Sequence, residues 1–209
     1  MKIIVLAGGD SPERDVSLMS GKQVYKALKR KNYNVVLLDP SKKTFLKKLI
    51  EFKPDCVFIV LHGGKGENGV IQGTLETLNI PYTGSGVLSS AMCMNKIITK
   101  KFLKFHKIPT PPFVVIEKNK KFYLPFSFPV VVKPANLGST IGIRIVKKEK
   151  ELNIAIEECF NLDNDVFIEK FIEGKEITIG ILGNEKIRVL PAIEIRTKTG
   201  FYDYKAKYT

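Results

Sequence analysis

Short apolar runs alternate with amphipathic stretches through the first half of the chain. "KIIVLAG" (2–8) is unbroken apolar sequence closed by glycine, which predicts a buried strand. "DVSLMSGKQVYKALKRK" (15–31) brings Val16, Met19, Val24, Ala27 and Leu28 near one face of a helix. "NVVLLD" (34–39) predicts a second strand, and "TFLKKLIEF" (44–52) a short helix stopped by Pro54. "DCVFIVLHGG" (55–64) is apolar until its glycines, so this third strand is expected to be covered on both faces. "NGVIQGTLETLN" (68–79) reads as a helix and "IPYTGS" (80–85) as a turn. Such an order of strands and helices implies a parallel sheet with right-handed crossovers. Ligands bind such sheets beyond the carboxyl ends of the strands. Both glycine-rich turns, "AGGDSPE" (7–13) and "LHGGKGENG" (61–69), fall there. Glu13 is thereby expected at the mouth of a crevice.

A second segment begins near Lys96. "NKIITKKFLKFHK" (95–107) has helical spacing, and "IPTPPF" (108–113) packs three prolines into six residues. That is too stiff for a helix or a central strand, so it reads as a connector between domains. Beyond it, "FPVVVKPA", "IGIRIV", "DVFIEKFI", "EITIGILG" and "KIRVLPAIEI" predict strands, with one helix at "KEKELNIAIEECF" (148–160). Hairpin-like turns at "LGST" and "LGNEK" suggest a mainly antiparallel sheet in an α+β unit. No internal repeat or low-complexity segment is visible.

Composition narrows the class. The 209 residues are enough for one large or two small domains, and 44% are hydrophobic, so a proper core is within reach. No run of about 18 apolar residues suggests a membrane span. Met1-Lys2 leads straight into a short strand, and no secretory leader is expected. Three cysteines, Cys56, Cys93 and Cys159, stand far apart, which argues against a disulfide frame or a zinc site and fits a reducing cytoplasm. The formal charge is +13, from 34 Lys+Arg against 21 Asp+Glu. The lysines are dispersed between apolar residues, so solvated helix faces explain them better than a nucleic-acid surface does. A surplus of this size still attracts a polyphosphate.

Several short stretches have the residue types for chemistry. "VVVKPANLGSTIG" sets Lys133 at the end of a buried strand, where an ammonium is costly unless an anion lies near. Loop amides around Gly138, Ser139 and Thr140 can surround a phosphate, although the string is not a P-loop. A hairpin with a surface lysine reads equally well. "IEKFIEGKEITIGIL" gathers Glu169, Lys170 and Glu176 around a turn, compatible with a plain solvent-facing hairpin. His62 follows an apolar strand beside glycines, where a capping role competes with a functional one. His106 has no chemistry around it in sequence and is read as structural. In "GFYDYKAKY" (200–208) aromatics alternate with charges, which suits a base-stacking surface or a mobile loop carrying a lysine to a phosphate.

Taken in order, "GGDSPERDVSLMSG", "LHGGKGENGVIQGTLETLNIPYTGSG", "AMCMNK", "KIPTPPF", "VVVKPANLGSTIG", "IEKFIEGKEIT" and "GFYDYKAKY" resemble the D-alanine–D-alanine ligase family of the ATP-grasp superfamily. The resemblance implies an N-terminal Rossmann-like parallel-sheet domain (1–95), a central ATP-grasp subdomain (96–187) and the start of a C-terminal ATP-grasp subdomain (188–209). It implies ATP-driven joining of two D-alanines through an acylphosphate, for peptidoglycan precursors in the cytoplasm. Phosphate activation turns a poor electrophile into an acyl donor, and cations must meet the charge on the phosphoryl oxygens.

The resemblance also implies roles. Lys96 and Lys133 would hold the α- and β-phosphates, and Lys207 the γ-phosphate. Gly138, Ser139 and Thr140 would form the loop over the phosphates. Lys170 and Ile172 would meet adenine through backbone groups, Glu169 its exocyclic amine, and Glu176 the ribose hydroxyls. Glu13 would pair with the ammonium of the first D-alanine, with His62 close to that substrate's carboxylate. Tyr208, with Ser139 and Glu13, would tie a mobile loop to the N-terminal domain and favour D-alanine over D-lactate as second substrate. A homodimer through the N-terminal domain is implied, with no nucleic-acid or membrane partner. The family's magnesium ligands and an arginine lie in strands beyond this loop. None follows Thr209, so magnesium ligands are not assigned here, and the chain as written is expected not to complete catalysis. Rival expectations are another ATP-grasp carboxylate–amine ligase, or a nucleotide-binding module without catalysis.

Overall fold

The computed structural model describes residues 1–197, so Lys207 and Tyr208 lie outside the described residues. The chain forms two compact units. Met1–Thr110 with Pro134–Gly138 makes the first, and Pro111–Lys133 with the residues from Ser139 onward makes the second. The break between Thr110 and Pro111 falls inside the proline run.

In the first unit, strands β1 (Lys2–Leu6), β2 (Asn34–Leu38) and β3 (Cys56–Ile59) form a parallel sheet in the order β2-β1-β3. Ile4 stands opposite both Val36 and Val57. The central strand β1 buries Ile3 through Leu6. Coverage is thinner on β3, where Cys56, Phe58 and Ile59 are only half-buried. The expectation of full cover for β3 is thus corrected: β1 takes the middle position, and β3 gains only a single parallel bridge from Val57 to Tyr82.

Side-chain alternation divides the core. Ile4, Leu6 and Val57 face Leu49 of α2 (Phe45–Phe52) and Ile71 and Leu75 of α3 (Val70–Thr77). Ile3, Val5 and Val35 face Val24 and Leu28 of α1 (Arg14–Arg30). Met19, expected on that inner face of α1, is instead exposed, because the buried stripe enters at Val16 and Ser17. Two further helices follow, α4 (Val87–Met94) and α5 (Lys96–Phe105). The sequence reading lacked α4, whose small, mixed residues buried only Ser90 and showed no apolar stripe.

In the second unit, β4 (Phe113–Ile116), β5 (Val130–Pro134), β6 (Arg144–Val146) and β7 (Val166–Lys170) form a sheet in the order β4-β7-β5-β6. β4 pairs antiparallel with β7, and β5 with β6. Strand β4 was not expected: Phe113 had been read as the end of the connector, yet it stands opposite Glu169. Helix α6 (Leu152–Phe160) packs Leu152, Ile156 and Cys159 against Val130, Val132, Val166 and Ile168. β8 (Glu176–Leu182) and β9 (Arg188–Ile195) form a separate antiparallel pair. Among the described residues no helix is long and apolar enough to cross a membrane.

Candidate active site

The turn that leads from β1 into α1 delivers Glu13. Its backbone N–H donates to the Ser11 hydroxyl at 3.1 Å, and that hydroxyl donates to the His62 carbonyl at 2.5 Å. Glu13 and the turn after β3 are therefore tied together by one serine. The Glu13 residue is only 4% exposed. A Cβ on Gly63, whose φ is +66°, would stand 2.3 Å from Glu13 Oε2, and one on Gly138 would stand 2.8 Å away. Only glycine permits the backbone to close around the carboxylate in this way. A small cleft of about 100 Å³ opens beside these turns, lined by Gly8, Ser11, His62, Gly63 and Lys65. Lys65 reaches across it to Asp10 at 2.5 Å. In the same turn the Gly63 N–H donates to Glu67 at 2.7 Å.

Lys96 opens α5 behind the cap residue Asn95, whose side chain accepts from the Ile98 N–H at 3.0 Å. The Lys96 backbone N–H donates to the Ala135 carbonyl at 3.0 Å. Its ammonium donates to the Leu137 carbonyl at 2.5 Å and to Ala135 at 3.3 Å. Asn95 Nδ2 donates to Asn136 Oδ1 at 2.8 Å. The segment after β5 is thus strapped to the start of α5, and Gly138 lies just past the strap.

In the second unit, Lys133 on β5 is ion-paired with Glu169 at the end of β7. Both side chains are largely buried, so each stabilises a charge the other could not hold alone. They share a cleft of about 280 Å³ with Thr140, Lys170, Ile172 and Glu176. The sequence reading assigned all six of these residues to a nucleotide, and the fold brings all six to one cleft. The expected plain hairpin through Glu169 and Glu176 does not form. β7 pairs with β4 and β8 with β9, so the two carboxylates come from different sheets. Ser139 and Thr140 have φ of 50° and 65°. Left-handed backbone at two successive residues, one of them β-branched, costs on the order of 1 kcal/mol each and is concentrated at functional loops.

His106 packs against the rings of Phe102 and Phe105 at centroid distances of 4.4 and 5.1 Å. The three cysteines form no disulfide. Burial pushes the Cys159 thiol up to about 11. The sequence reading missed the side chains that hold the first glycine turn, Arg14 and Asp39. Asp39 ends "LLD", and an acid at the carboxyl end of a buried strand beside proline was the available signal. Among the described residues no cluster of three or more His, Cys, Asp or Glu is placed to hold a metal ion.

A left-handed loop, a buried lysine and adjacent carboxylates have residue types that suit a nucleotide, while the buried Glu13 has the charge that suits an ammonium. Comparison with known proteins shows the family. The model "D-ala D-ala ligase N-terminus" matches residues 2–54 and 40–85, and "D-ala D-ala ligase C-terminus" matches 102–209. The D-alanine–D-alanine ligase of Pelotomaculum thermopropionicum is 46% identical over 100% of this chain and 69% of its own length. That of Carboxydothermus hydrogenoformans is 47% identical over 100% of this chain and 70% of its own. The crystal structure of the Bacillus anthracis ligase complexed with ATP superposes with a TM-score of 0.82 at 38% identity, covering 97% of this chain and 68% of that one. A second structure of that ligase gives a TM-score of 0.83 at 40% identity. The chain belongs to the D-alanine–D-alanine ligase family.

Proposed function

We propose that this protein joins two D-alanines into D-alanyl-D-alanine at the expense of ATP, through an acylphosphate. The observation that carries the reading is the buried Glu13 carboxylate, closed in by the Gly63 and Gly138 backbones at the carboxyl edge of the parallel sheet. A carboxylate held there anchors the ammonium of a small amino acid by a charge-assisted hydrogen bond and leaves that substrate's own carboxylate to be activated. His62, joined to the same turn through Ser11, is assigned to the substrate carboxylate.

ATP supplies the phosphoryl group that makes the carboxylate an acyl donor. Lys133, Thr140, Glu169, Lys170, Ile172 and Glu176 are assigned to its binding because they line one cleft of mixed charge. Lys96 and the Gly138–Ser139 backbone are assigned to its phosphates, and Lys207 to the γ-phosphate. The lysines neutralise charge that grows on the phosphoryl oxygens, and the strapped loop does so without reorganising. Tyr208 is assigned to selection of D-alanine as the second substrate. We further assign the dipeptide to peptidoglycan precursor synthesis in the cytoplasm, magnesium as the companion of ATP, and a homodimer as the working assembly.

The test is dipeptide formation from ATP and D-alanine. It is run on the 209-residue chain and on the same chain joined to the further residues its relatives carry. D-alanyl-D-alanine with matching phosphate release in the second supports the assignment. Absence of dipeptide in both, with either protein folded, contradicts it, and faster turnover with a different amine acceptor redirects it to another carboxylate–amine ligase.

A further inference from the structure

We infer that Arg14 and Asp39 form a positioning pair that sets the Glu13 carboxylate for the ammonium of the first amino acid. The inference rests on the ligase reading above and adds to it two residues that touch no substrate. Asp39 stands at the end of β2, in sequence far from the turn it controls. One of its oxygens accepts from the Gly9 N–H at 3.0 Å, from the Ser41 N–H at 3.0 Å and from the Ser41 hydroxyl at 2.8 Å. The other accepts from Arg14 Nη2 at 2.6 Å. Arg14 Nη1 donates to the Gly9 carbonyl at 2.5 Å and to the Ser41 hydroxyl at 3.2 Å. The guanidinium and carboxylate therefore grip both backbone polar groups of Gly9 and close a ring around the turn.

Contact is tight enough to transmit a shift. A Cβ on Gly8 would stand 2.7 Å from Asp39 Cγ. On its other side the turn is held by Ser17, whose hydroxyl accepts from the Gly8 N–H at 2.9 Å and donates to the Val60 carbonyl at 2.6 Å. Glu13 immediately precedes Arg14, and its carbonyl accepts from the Ser17 N–H at 3.1 Å, so it is joined to both anchors. A carboxylate placed by such a ring is pre-organised, and binding a small zwitterion requires placement within a fraction of an ångström. A planar fork is needed to hold a carboxylate and a carbonyl together, so lysine does not replace Arg14 fully.

The test is calorimetric titration of the chain with D-alanine and, separately, with ATP. Asp39→Asn is expected to weaken D-alanine binding by about tenfold or more and to leave ATP binding within about twofold. Arg14→Lys should fall between that variant and wild type. Because the pair acts as a unit, Arg14→Met with Asp39→Asn should lose no more than the worse single variant. Should Asp39→Asn fail to fold, Ser41→Ala, which removes one partner of the ring, should weaken D-alanine in the same direction by a smaller factor. Unchanged D-alanine affinity, equal loss of both ligands, or additive losses in the double variant overturn the role. A wild-type chain that binds ATP and no D-alanine contradicts the ligase reading itself, and this role with it.

Discussion

Asp39 shows how a single side chain registers its surroundings. Burial alone would raise its pKa, but the Arg14 guanidinium, the Gly9 N–H and the Ser41 N–H and hydroxyl outweigh burial and hold the carboxyl well below its ordinary range. An acid whose pKa is depressed by folding stabilises the native state above its unfolded pKa of about 3.9. That stabilisation fades as pH falls towards the native value, because the unfolded chain then binds the proton first. Melting temperature should therefore drop on acidification below about pH 4, and this part of the drop should be absent in Asp39→Asn. Equal slopes for the two proteins contradict the assignment. Lys133 gives a second case. Its loss removes a charge-assisted phosphate contact, so Lys133→Ala should weaken ATP binding more than about tenfold, ~1.4 kcal/mol, by calorimetry. Affinity within about twofold of wild type would remove Lys133 from the nucleotide site. Lys133 was singled out in sequence because charge at the end of an apolar strand is costly without a partner, and Glu13 because its turn follows the first strand. Asp39 offered the same kind of signal at the end of "LLD", but its pairing with Arg14 is a contact across 25 residues of chain that nothing local announces.

At the scale of elements, most strands declared themselves by unbroken or alternating apolar runs, as in "KIIVL" and "FPVVVKP". The two elements missed had reasons. Helix α4 is made of small and mixed residues with no buried stripe, and β4 starts directly after prolines that dominated the local reading. Pairing was less legible than existence, since nothing local says that β7 lies between β4 and β5. The start of α5 carries a testable load. Asn95 caps the helix and also donates to Asn136, so one residue secures both the helix and the segment after β5. Asn95→Ala should destabilise the first unit by about 1–2 kcal/mol in urea denaturation. A loss below about 0.3 kcal/mol would mean that the Lys96 hydrogen bonds hold the segment unaided.

For the molecule as a whole, the chain divides into two compact units, with Glu13, Lys96 and Gly138 in the first and Lys133, Thr140 and Glu169 in the second. A change from strand–helix alternation to closely spaced strands is visible in sequence, whereas the return of Pro134–Gly138 to the first unit has no local signal. A charge of +13 spread along helices suits a polyanionic cosubstrate and gives no continuous nucleic-acid motif. In the proposed ligase, the buried acid after β1 recognises an amino acid's ammonium independently of the nucleotide. Calorimetric titration of wild type and Glu13→Gln with D-alanine, L-alanine and ATP tests it most directly. Wild type is expected to bind D-alanine in preference to L-alanine, and the variant to lose D-alanine while keeping ATP affinity within about twofold. D-alanine bound equally well by the variant, or ATP lost along with it, would contradict the claim.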